Sequence, residues 1–142
     1  MKLKFKLLTP TARLPQYAHD GDSGMDVRAS EAVSILPQSW GVVATGIAAV
    51  IPSGYELQVR PRSGMSAREG VVAAFGTVDA GYRGEIKVTL YNHSQNIYST
   101  EIGDRIAQLV LAPVTRAEIE ATDDLGATTE RGANGFGSTG VR

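Results

Sequence analysis

The residues able to do chemistry fall into five short segments, and the last of these carries the clearest signal. It combines an arginine, an aromatic ring and two hydroxyls with glycines: Arg131, Gly135, Phe136, Gly137, Ser138, Thr139 and Gly140. Glycines let backbone N–H groups approach phosphates, and an arginine can bind phosphate oxygens with two N–H groups at once. The glycine spacing matches G-x-G-x-x-G, but no strand–helix unit surrounds it, which argues against a dinucleotide-binding fold. The alternative interpretation is a disordered tail.

A second segment, Pro61-Arg62-Ser63-Gly64, stands where a predicted strand gives way to a predicted short helix. A phosphate docked there would meet helix N-terminal N–H groups, a serine hydroxyl and a guanidinium. Taken alone, the same pattern is also typical of an ordinary turn.

A third segment, residues 76–84, predicts a hairpin. Thr77 and Val78 favour a strand, the Ala-Gly pair at 80–81 favours a turn, and a further strand is expected from residue 85. Asp79 and Tyr82 would then lie near the hairpin tip. Asp79 is either a turn residue that bonds its own backbone or a base that orients a water molecule.

The two remaining segments contain Asp26, and Arg105 together with Gln108. Each has an ordinary alternative. Asp26 could be a charge at a strand edge, and Arg105 and Gln108 could satisfy buried backbone groups.

Short alternating runs separated by glycine and proline predict an all-β fold, a sandwich or a barrel, to position these segments. Leu3, Phe5 and Leu7 alternate with lysines, and further strands are expected at residues 33–36, 41–45, 47–51, 55–60, 85–91 and 106–114. One short helix is expected after Ser63, with residues 66–69 as a capping box and Gly70 as the stop. The sequence is poor in large apolar groups from residue 123. We therefore expect a β domain over residues 1–122 and a flexible arm over residues 123–142.

The bulk composition is that of an ordinary single domain and excludes several kinds of site. The chain has 142 residues and a formal net charge of −1, which indicates neither a nucleic-acid nor a membrane partner. It lacks cysteine, which excludes disulfides and thiolate chemistry, and two histidines cannot form a His-rich metal site. No apolar run approaches the roughly 20 residues that span a bilayer. No signal-peptide pattern is present either, so we expect a soluble cytoplasmic protein.

Taken in order, the five segments resemble the five motifs of the trimeric dUTPase family. The resemblance runs from about Ser23 to Gly140, and five motifs in register are far more specific than any one of them. It implies a jelly-roll-like β-sandwich or distorted barrel that assembles as a homotrimer with shared active sites. It also implies hydrolysis of dUTP to dUMP and pyrophosphate, which keeps uracil out of DNA and supplies dUMP for dTMP synthesis.

The resemblance implies a role for each matched residue. Asp79 occupies the position of the catalytic carboxylate that activates water, and Tyr82 that of the ring that packs on the deoxyribose. Residues 76–79 would read the uracil edge, Arg131 would hold the γ-phosphate and Phe136 would cover the uracil. The substrate-binding positions are Arg62, Ser63, Gly64, Gly76, Thr77, Val78, Asp79, Tyr82, Lys87, Gln108, Arg131, Phe136, Gly137, Ser138 and Thr139.

The resemblance also implies Mg²⁺ as the cofactor. Asp26 matches a position that lies near this metal and acts through its waters. Mg²⁺ keeps much of its water shell and binds phosphate oxygens directly, so it needs no protein cage. Asp79 would orient a water for in-line attack on the α-phosphorus, and the arm would close as a lid.

Two other functions fit parts of the pattern. A dCTP deaminase shares the fold, but relatives of that kind use a catalytic glutamate where this chain has Asp79. A non-catalytic nucleotide-binding trimer could dispense with the carboxylate and the arm, both of which this chain retains. Ala73 stands where many bacterial members have an asparagine beside the base, so we expect uracil recognition to depend on backbone groups.

Overall fold

The computed structural model describes residues 1–135, which form eleven strands and one helix. The strands are β1 (Lys4–Leu7), β2 (Met25–Arg28), β3 (Val33–Ile35), β4 (Ser39–Ala44), β5 (Ile47–Val50), β6 (Tyr55–Arg60), β7 (Val71–Ala73), β8 (Gly76–Val78), β9 (Lys87–Asn92), β10 (Tyr98–Thr100) and β11 (Arg105–Pro113). The helix α1 (Ser63–Glu69) lies between β6 and β7. The predicted all-β fold with one short helix is therefore confirmed.

The strands pair antiparallel in four sheets. The largest sheet has the order β2-β11-β6-β8, the second has the order β4-β9-β7, and β1-β5 and β3-β10 are two-stranded. The two larger sheets contribute to one apolar core, which includes Leu57 and Leu109 from the first and Val43 and Leu90 from the second. Within residues 1–135 these sheets do not join into one closed barrel.

Strand β6 shows why the alternation in the sequence predicts the core. Leu57 and Val59 are buried, and the other four residues of the strand are only half-buried. The strand lies between β11 and β8, so its buried face is covered by the core and both of its edges are paired. The prediction for residues 55–60 is confirmed to the residue.

The predicted hairpin at residues 76–84 is wrong. Strand β8 pairs with β6, with Val78 opposite Leu57, whereas β9 pairs with β4 and β7 in the other large sheet. The turn itself exists, because Tyr82 N donates to the carbonyl of Asp79 at 3.0 Å. This turn connects two sheets. The local turn signal does not determine which strand β8 pairs with, because strand pairing also depends on residues that are distant in sequence.

The predicted capping box at residues 66–69 is also wrong. Helix α1 begins at Ser63, and its N-cap residue, Arg62, makes no side-chain cap hydrogen bond. Ser66 lies inside the helix, and its hydroxyl donates back to the carbonyl of Arg62 at 3.0 Å. The predicted stop is confirmed, because Gly70 adopts a left-handed conformation with φ of 65° at the C-cap.

Beyond β11 the described chain contains no strand or helix, and the side chains of residues 113–134 are all exposed. The last strand therefore ends before residue 122, the predicted domain boundary, and the division into a domain and an arm stays a prediction. Phe136, Gly137, Ser138 and Thr139 lie outside the described residues. The one helix in the described part of the chain is too short to cross a membrane.

Candidate active site

A polar depression lies where β2, β11 and the start of α1 meet, and we call it the arginine depression. Its volume is about 310 Å³. Its lining comprises Ala18, His19, Asp22, Ser23, Gly24, Asp26, Arg62, Ser63, Gly64, Arg105 and Gln108. The structure thus brings together the predicted residues Asp26, Arg62, Ser63, Gly64 and Gln108.

Asp26 is the electrostatic centre of the arginine depression. Its side chain is only 17% exposed, and its Oδ1 accepts from Nε of Arg62 at 3.0 Å. Its Oδ2 lies 3.5 Å from a guanidinium nitrogen of Arg105. Arg62 also donates from Nη1 to the carbonyl of Arg105 at 3.3 Å. A charge-assisted network of this kind fixes the guanidinium that an anion would meet.

Gln108 lies opposite Asp26 on the neighbouring strand, and its amide donates to the carbonyl of Pro61 at 2.9 Å. Its position depends on a glycine. A Cβ placed on Gly24 would lie 2.1 Å from Oε1 of Gln108 and 3.1 Å from its Cβ. Sequence reasoning did not assign a role to Gly24, because the contact joins residues that are distant in sequence.

The start of α1 completes the arginine depression. Ser63 and Gly64 are the first two helical residues, and no side chain caps the N–H groups of this turn. Such N–H groups are suitable donors for a phosphate, and the adjacent guanidinium of Arg62 adds positive charge.

A second cavity, which we call the aspartate cleft, follows strand β8. Its volume is about 640 Å³. Its lining comprises Thr77, Val78, Asp79, Tyr82, Glu85, Ile86 and Lys87. Of the predicted residues in this region, Gly76 lies outside the lining and faces Val59, which a Cβ would meet at 3.4 Å.

The two carboxylates of the aspartate cleft differ in their partners. Glu85 accepts from the N–H of Gly46 at 2.8 Å and lies 3.6 Å from Nζ of Lys87. The Asp79 side chain is exposed, and within residues 1–135 no hydrogen bond or ion pair reaches its carboxylate. The alternative of a carboxylate bonded to its own turn is therefore not what the structure contains. Tyr82 donates from its hydroxyl to the carbonyl of Glu85 at 3.0 Å.

The arginine depression and the aspartate cleft share no lining residue. The pairing of Val78 with Leu57 places Asp79 beside Glu56. Arg62 follows the opposite end of β6, six residues beyond Glu56 (62 − 56 = 6). At about 3.3 Å per residue, roughly 20 Å of chain separates Arg62 from Glu56, the residue beside Asp79. One chain therefore holds Asp79 and Arg62 beyond opposite ends of β6.

Three further positions complete the comparison with the predictions. Arg131 lines neither cavity, and its Nε donates to the carbonyl of Asn134 at 3.1 Å. Ala73 is buried in β7, with 1% of its surface exposed, and does not line the aspartate cleft. Across residues 1–135 no three His, Asp or Glu side chains group closely enough to hold a metal ion.

This geometry defines the class of protein as an antiparallel β domain with a cluster of paired arginines beyond one end of β6 and, within residues 1–135, an unpartnered carboxylate beyond the other. The family model described as dUTPase matches residues 11–140. The deoxyuridine 5'-triphosphate nucleotidohydrolase of Picosynechococcus sp. is 47% identical over 143 residues, which cover 99% of this chain and 100% of that protein. The enzyme of the same name from Anaeromyxobacter sp. is 52% identical over 133 residues, covering 92% and 90%.

Solved structures show the same likeness. The dUTPase of Staphylococcus bacteriophage 80alpha with dUPNHPP has a TM-score of 0.90 and 34% identity, covering 99% of both chains. A mutant dUTPase from phage phi11 of S. aureus, described as coordinating a structural Mg(II) ion, has a TM-score of 0.84 and 27% identity. It covers 89% of this chain and 100% of that one. The chain belongs to the dUTPase family.

Proposed function

We propose that this chain hydrolyses dUTP to dUMP and pyrophosphate, at a site formed by the aspartate cleft of one copy and the arginine depression of another. The observation that carries the proposal is the separation along β6 of the paired Arg62 guanidinium from the Asp79 carboxylate, which has no partner among residues 1–135. Relatives about half identical to this chain carry the name of this activity. The dCTP deaminase alternative is therefore set aside.

The arginine depression binds the phosphates in this proposal. Arg62 and the N–H groups at Ser63 and Gly64 neutralise the polyphosphate oxygens, and Gln108 is a further contact. These donors are held before the substrate arrives, which is the arrangement that favours charge stabilisation in phosphoryl transfer.

Asp79 is the general base in this proposal. Its free carboxylate accepts a hydrogen bond from a water molecule and takes up a proton as that water attacks the α-phosphorus. The bond from the α-phosphorus to its bridging oxygen breaks in line with this attack, and pyrophosphate leaves. A positioned general base contributes about 10²–10⁴ to a rate.

The aspartate cleft binds the nucleoside in this proposal. Within residues 1–135, strand β8 is at the end of its sheet and pairs only with β6, so backbone groups on its other edge are available to the uracil edge. Gly76, Thr77 and Val78 supply these groups. The Tyr82 ring packs on the deoxyribose and leaves no room for a 2′-hydroxyl, and Lys87 also lines the cleft.

Mg²⁺ fits this site as a cation carried mainly by the triphosphate. Both oxygens of Asp26 already face guanidinium groups, which suits contact with the cation through water and not direct coordination. When bound, Mg²⁺ would neutralise charge on the triphosphate oxygens.

Three copies complete the site in this proposal, and the arm closes it. Arg131 would hold the γ-phosphate, Phe136 would cover the uracil, and Gly137, Ser138 and Thr139 would close over the phosphates. The side chains of residues 113–134 are all exposed, which supports an arm whose partner is another copy. Removal of residues 131–142 should leave a folded trimer with severely reduced activity. The cytoplasmic location stays a prediction.

Mixing two inactive variants tests the shared site. Asp79→Asn and Arg62→Ala chains are purified separately, unfolded together in equal amounts and refolded. In randomly mixed trimers about a quarter of sites combine an intact Asp79 from one chain with an intact Arg62 from another. Pyrophosphate release from dUTP should recover to about that fraction of the wild-type rate. A mixture as inactive as its components would contradict the shared site. Wild-type protein that leaves dUTP intact with Mg²⁺ would contradict the activity.

A further inference from the structure

Strand β11 is irregular beside the arginine depression. Arg105 pairs with Arg28 and Ala107 pairs with Val27, so Ile106 is an extra residue in the strand. Ile106 and Ala107 are both completely buried, which breaks the alternation expected of a strand. This is a β-bulge, a feature that re-aims side chains and is frequent next to active sites.

The bulge changes the direction of one side chain. Arg105 and Gln108 are three positions apart (108 − 105 = 3), and in a regular strand they would face opposite sides of the sheet. With Ile106 as the extra residue, both line the arginine depression. The bulge therefore adds a second guanidinium to a cavity that already contains Arg62.

Arg105 contacts the Arg62 system at two points. Its guanidinium lies 3.5 Å from Oδ2 of Asp26, while Arg62 occupies Oδ1 through Nε at 3.0 Å. Its backbone carbonyl accepts from Nη1 of Arg62 at 3.3 Å. The Arg105 side chain is 46% exposed and that of Asp26 is 17% exposed, so the carboxylate depends on these two arginines for its neutralisation.

We infer that Arg105 is a positioning residue that keeps Arg62 directed towards the polyphosphate. By occupying Oδ2 of Asp26, it prevents Arg62 from closing on both carboxylate oxygens as a bidentate pair. Because Nε of Arg62 already donates to Oδ1 and Nη1 donates to the carbonyl of Arg105, such a pair would also engage Nη2 and leave fewer N–H groups for the phosphate. The inference rests on the proposed function for the identity of the substrate, but its effect on anion binding can be measured without turnover.

Arg105→Gln removes the charge and tests the inference directly. Inorganic tripolyphosphate is titrated calorimetrically into each full-length variant, and kcat and KM are measured with dUTP. Arg105→Gln should weaken tripolyphosphate binding about tenfold and raise KM by a similar factor, with a smaller change in kcat. Arg105→Lys, which keeps a charge near Oδ2, should retain most of the affinity. The matched control is Arg28→Gln, because Arg28 donates to the carbonyl of Gly103 and does not touch Asp26.

A double-mutant cycle separates positioning from direct phosphate contact. If Arg105 acts through Asp26, then Arg105→Gln should cost less than about twofold when Asp26→Asn is already present. An undiminished loss in that background would overturn the inference, because it would show a direct contact. Affinity and KM of Arg105→Gln equal to those of the wild type would also overturn it. If Arg105→Gln does not fold, Arg105→Ala, which also removes the charge, gives the same comparison with and without Asp26→Asn.

The two proposals fail in different ways. A wild-type chain that does not hydrolyse dUTP, but whose tripolyphosphate affinity still falls in Arg105→Gln, would refute the proposed function and support the inference. A wild-type chain that turns over dUTP while Arg105→Gln binds and reacts normally would refute the inference alone.

Discussion

The arginine depression and the aspartate cleft differ in how their polar groups are satisfied. In the arginine depression, Asp26 faces two guanidinium groups and the amide of Gln108 donates to Pro61. In the aspartate cleft, Asp79 is exposed, and the part of the chain that the structure describes offers its carboxylate no partner.

This difference matches the two tasks that a phosphoryl-transfer site must combine. Anion binding gains from donors fixed in advance, because no reorganisation is then needed as charge develops. A general base needs free lone pairs, because every hydrogen bond to the charged form stabilises that form and lowers its basicity. We therefore expect variants in the arginine depression to change mainly substrate binding, and variants of Asp79 in the aspartate cleft to change mainly turnover.

Asp79→Asn should have the largest effect of any single substitution. The amide cannot accept a proton, so kcat should fall by about 10²–10⁴. Binding of dUPNHPP, measured by calorimetry, should change little, since the arginine depression is intact. Glu85→Gln is the matched control in the same cleft, and its amide oxygen can still accept from Gly46. Near-normal turnover in Asp79→Asn would remove Asp79 from its role.

Gly24→Ala should act on the other region and mainly on KM. The added Cβ would lie 2.1 Å from Oε1 of Gln108 and 3.1 Å from its Cβ, so the Gln108 side chain must shift from the position in which it donates to the carbonyl of Pro61. Because small misplacements of positioning groups can cost up to about a hundredfold, we expect KM for dUTP to rise on the order of tenfold or more.

The matched control for Gly24→Ala is Gly81→Ala. No atom lies within 4 Å of a Cβ placed on Gly81, so unfolding free energy and KM should both stay near the wild-type values. Equal effects of the two substitutions would show that the Gly24 contact has no special importance.

The sequence predicts the elements of this site better than their assembly. In β6 the alternation of apolar and polar residues predicts where the strand begins and ends, because the type of each residue indicates whether its side chain is buried. Strand β2 has the same alternation, with Met25 and Val27 alternating with Asp26 and Arg28, but the run is too short and too highly charged to predict a strand. The bulge at Ile106 could not be predicted, since it is defined only against the partner strand.

The network around Asp26 also lies beyond sequence reasoning. Its link to Arg62 joins residues 36 positions apart, and the link from Arg62 to Arg105 joins residues 43 positions apart. The family resemblance implies a role near the metal for Asp26 and a phosphate-binding role for Arg62, but it does not predict the contact between these two residues. The hairpin prediction at residues 76–84 is wrong for the same reason, because β8 pairs with β6 and not with the next strand in sequence.

Tyr82→Ala tests whether the aspartate cleft also selects the sugar. Loss of the ring removes the surface that packs on the deoxyribose, so the ratio of kcat/KM for dUTP to that for UTP should fall about tenfold. Tyr82→Phe is the control, since it removes only the hydrogen bond to the carbonyl of Glu85. A dUTP preference that Tyr82→Ala leaves unchanged would contradict the sugar-packing role.

Tyr98→Phe should have the smallest effect. It tests the free energy of unfolding near the arginine depression and leaves the donors of that depression unchanged. The Tyr98 hydroxyl donates to the sulfur of Met65 at 3.4 Å. Burial, followed by the negative charges of Asp104 and Glu69, raises the pKa of Tyr98 above its ordinary value of 10.0, while Arg62 opposes the shift. Because the folded-state pKa is the higher one, the contribution to stability is complete below pH 10.0 and is lost as pH rises through the folded-state pKa. Urea unfolding should therefore show that the wild type loses free energy of unfolding relative to Tyr98→Phe only above about pH 10. Parallel pH profiles of the two proteins would contradict this assignment.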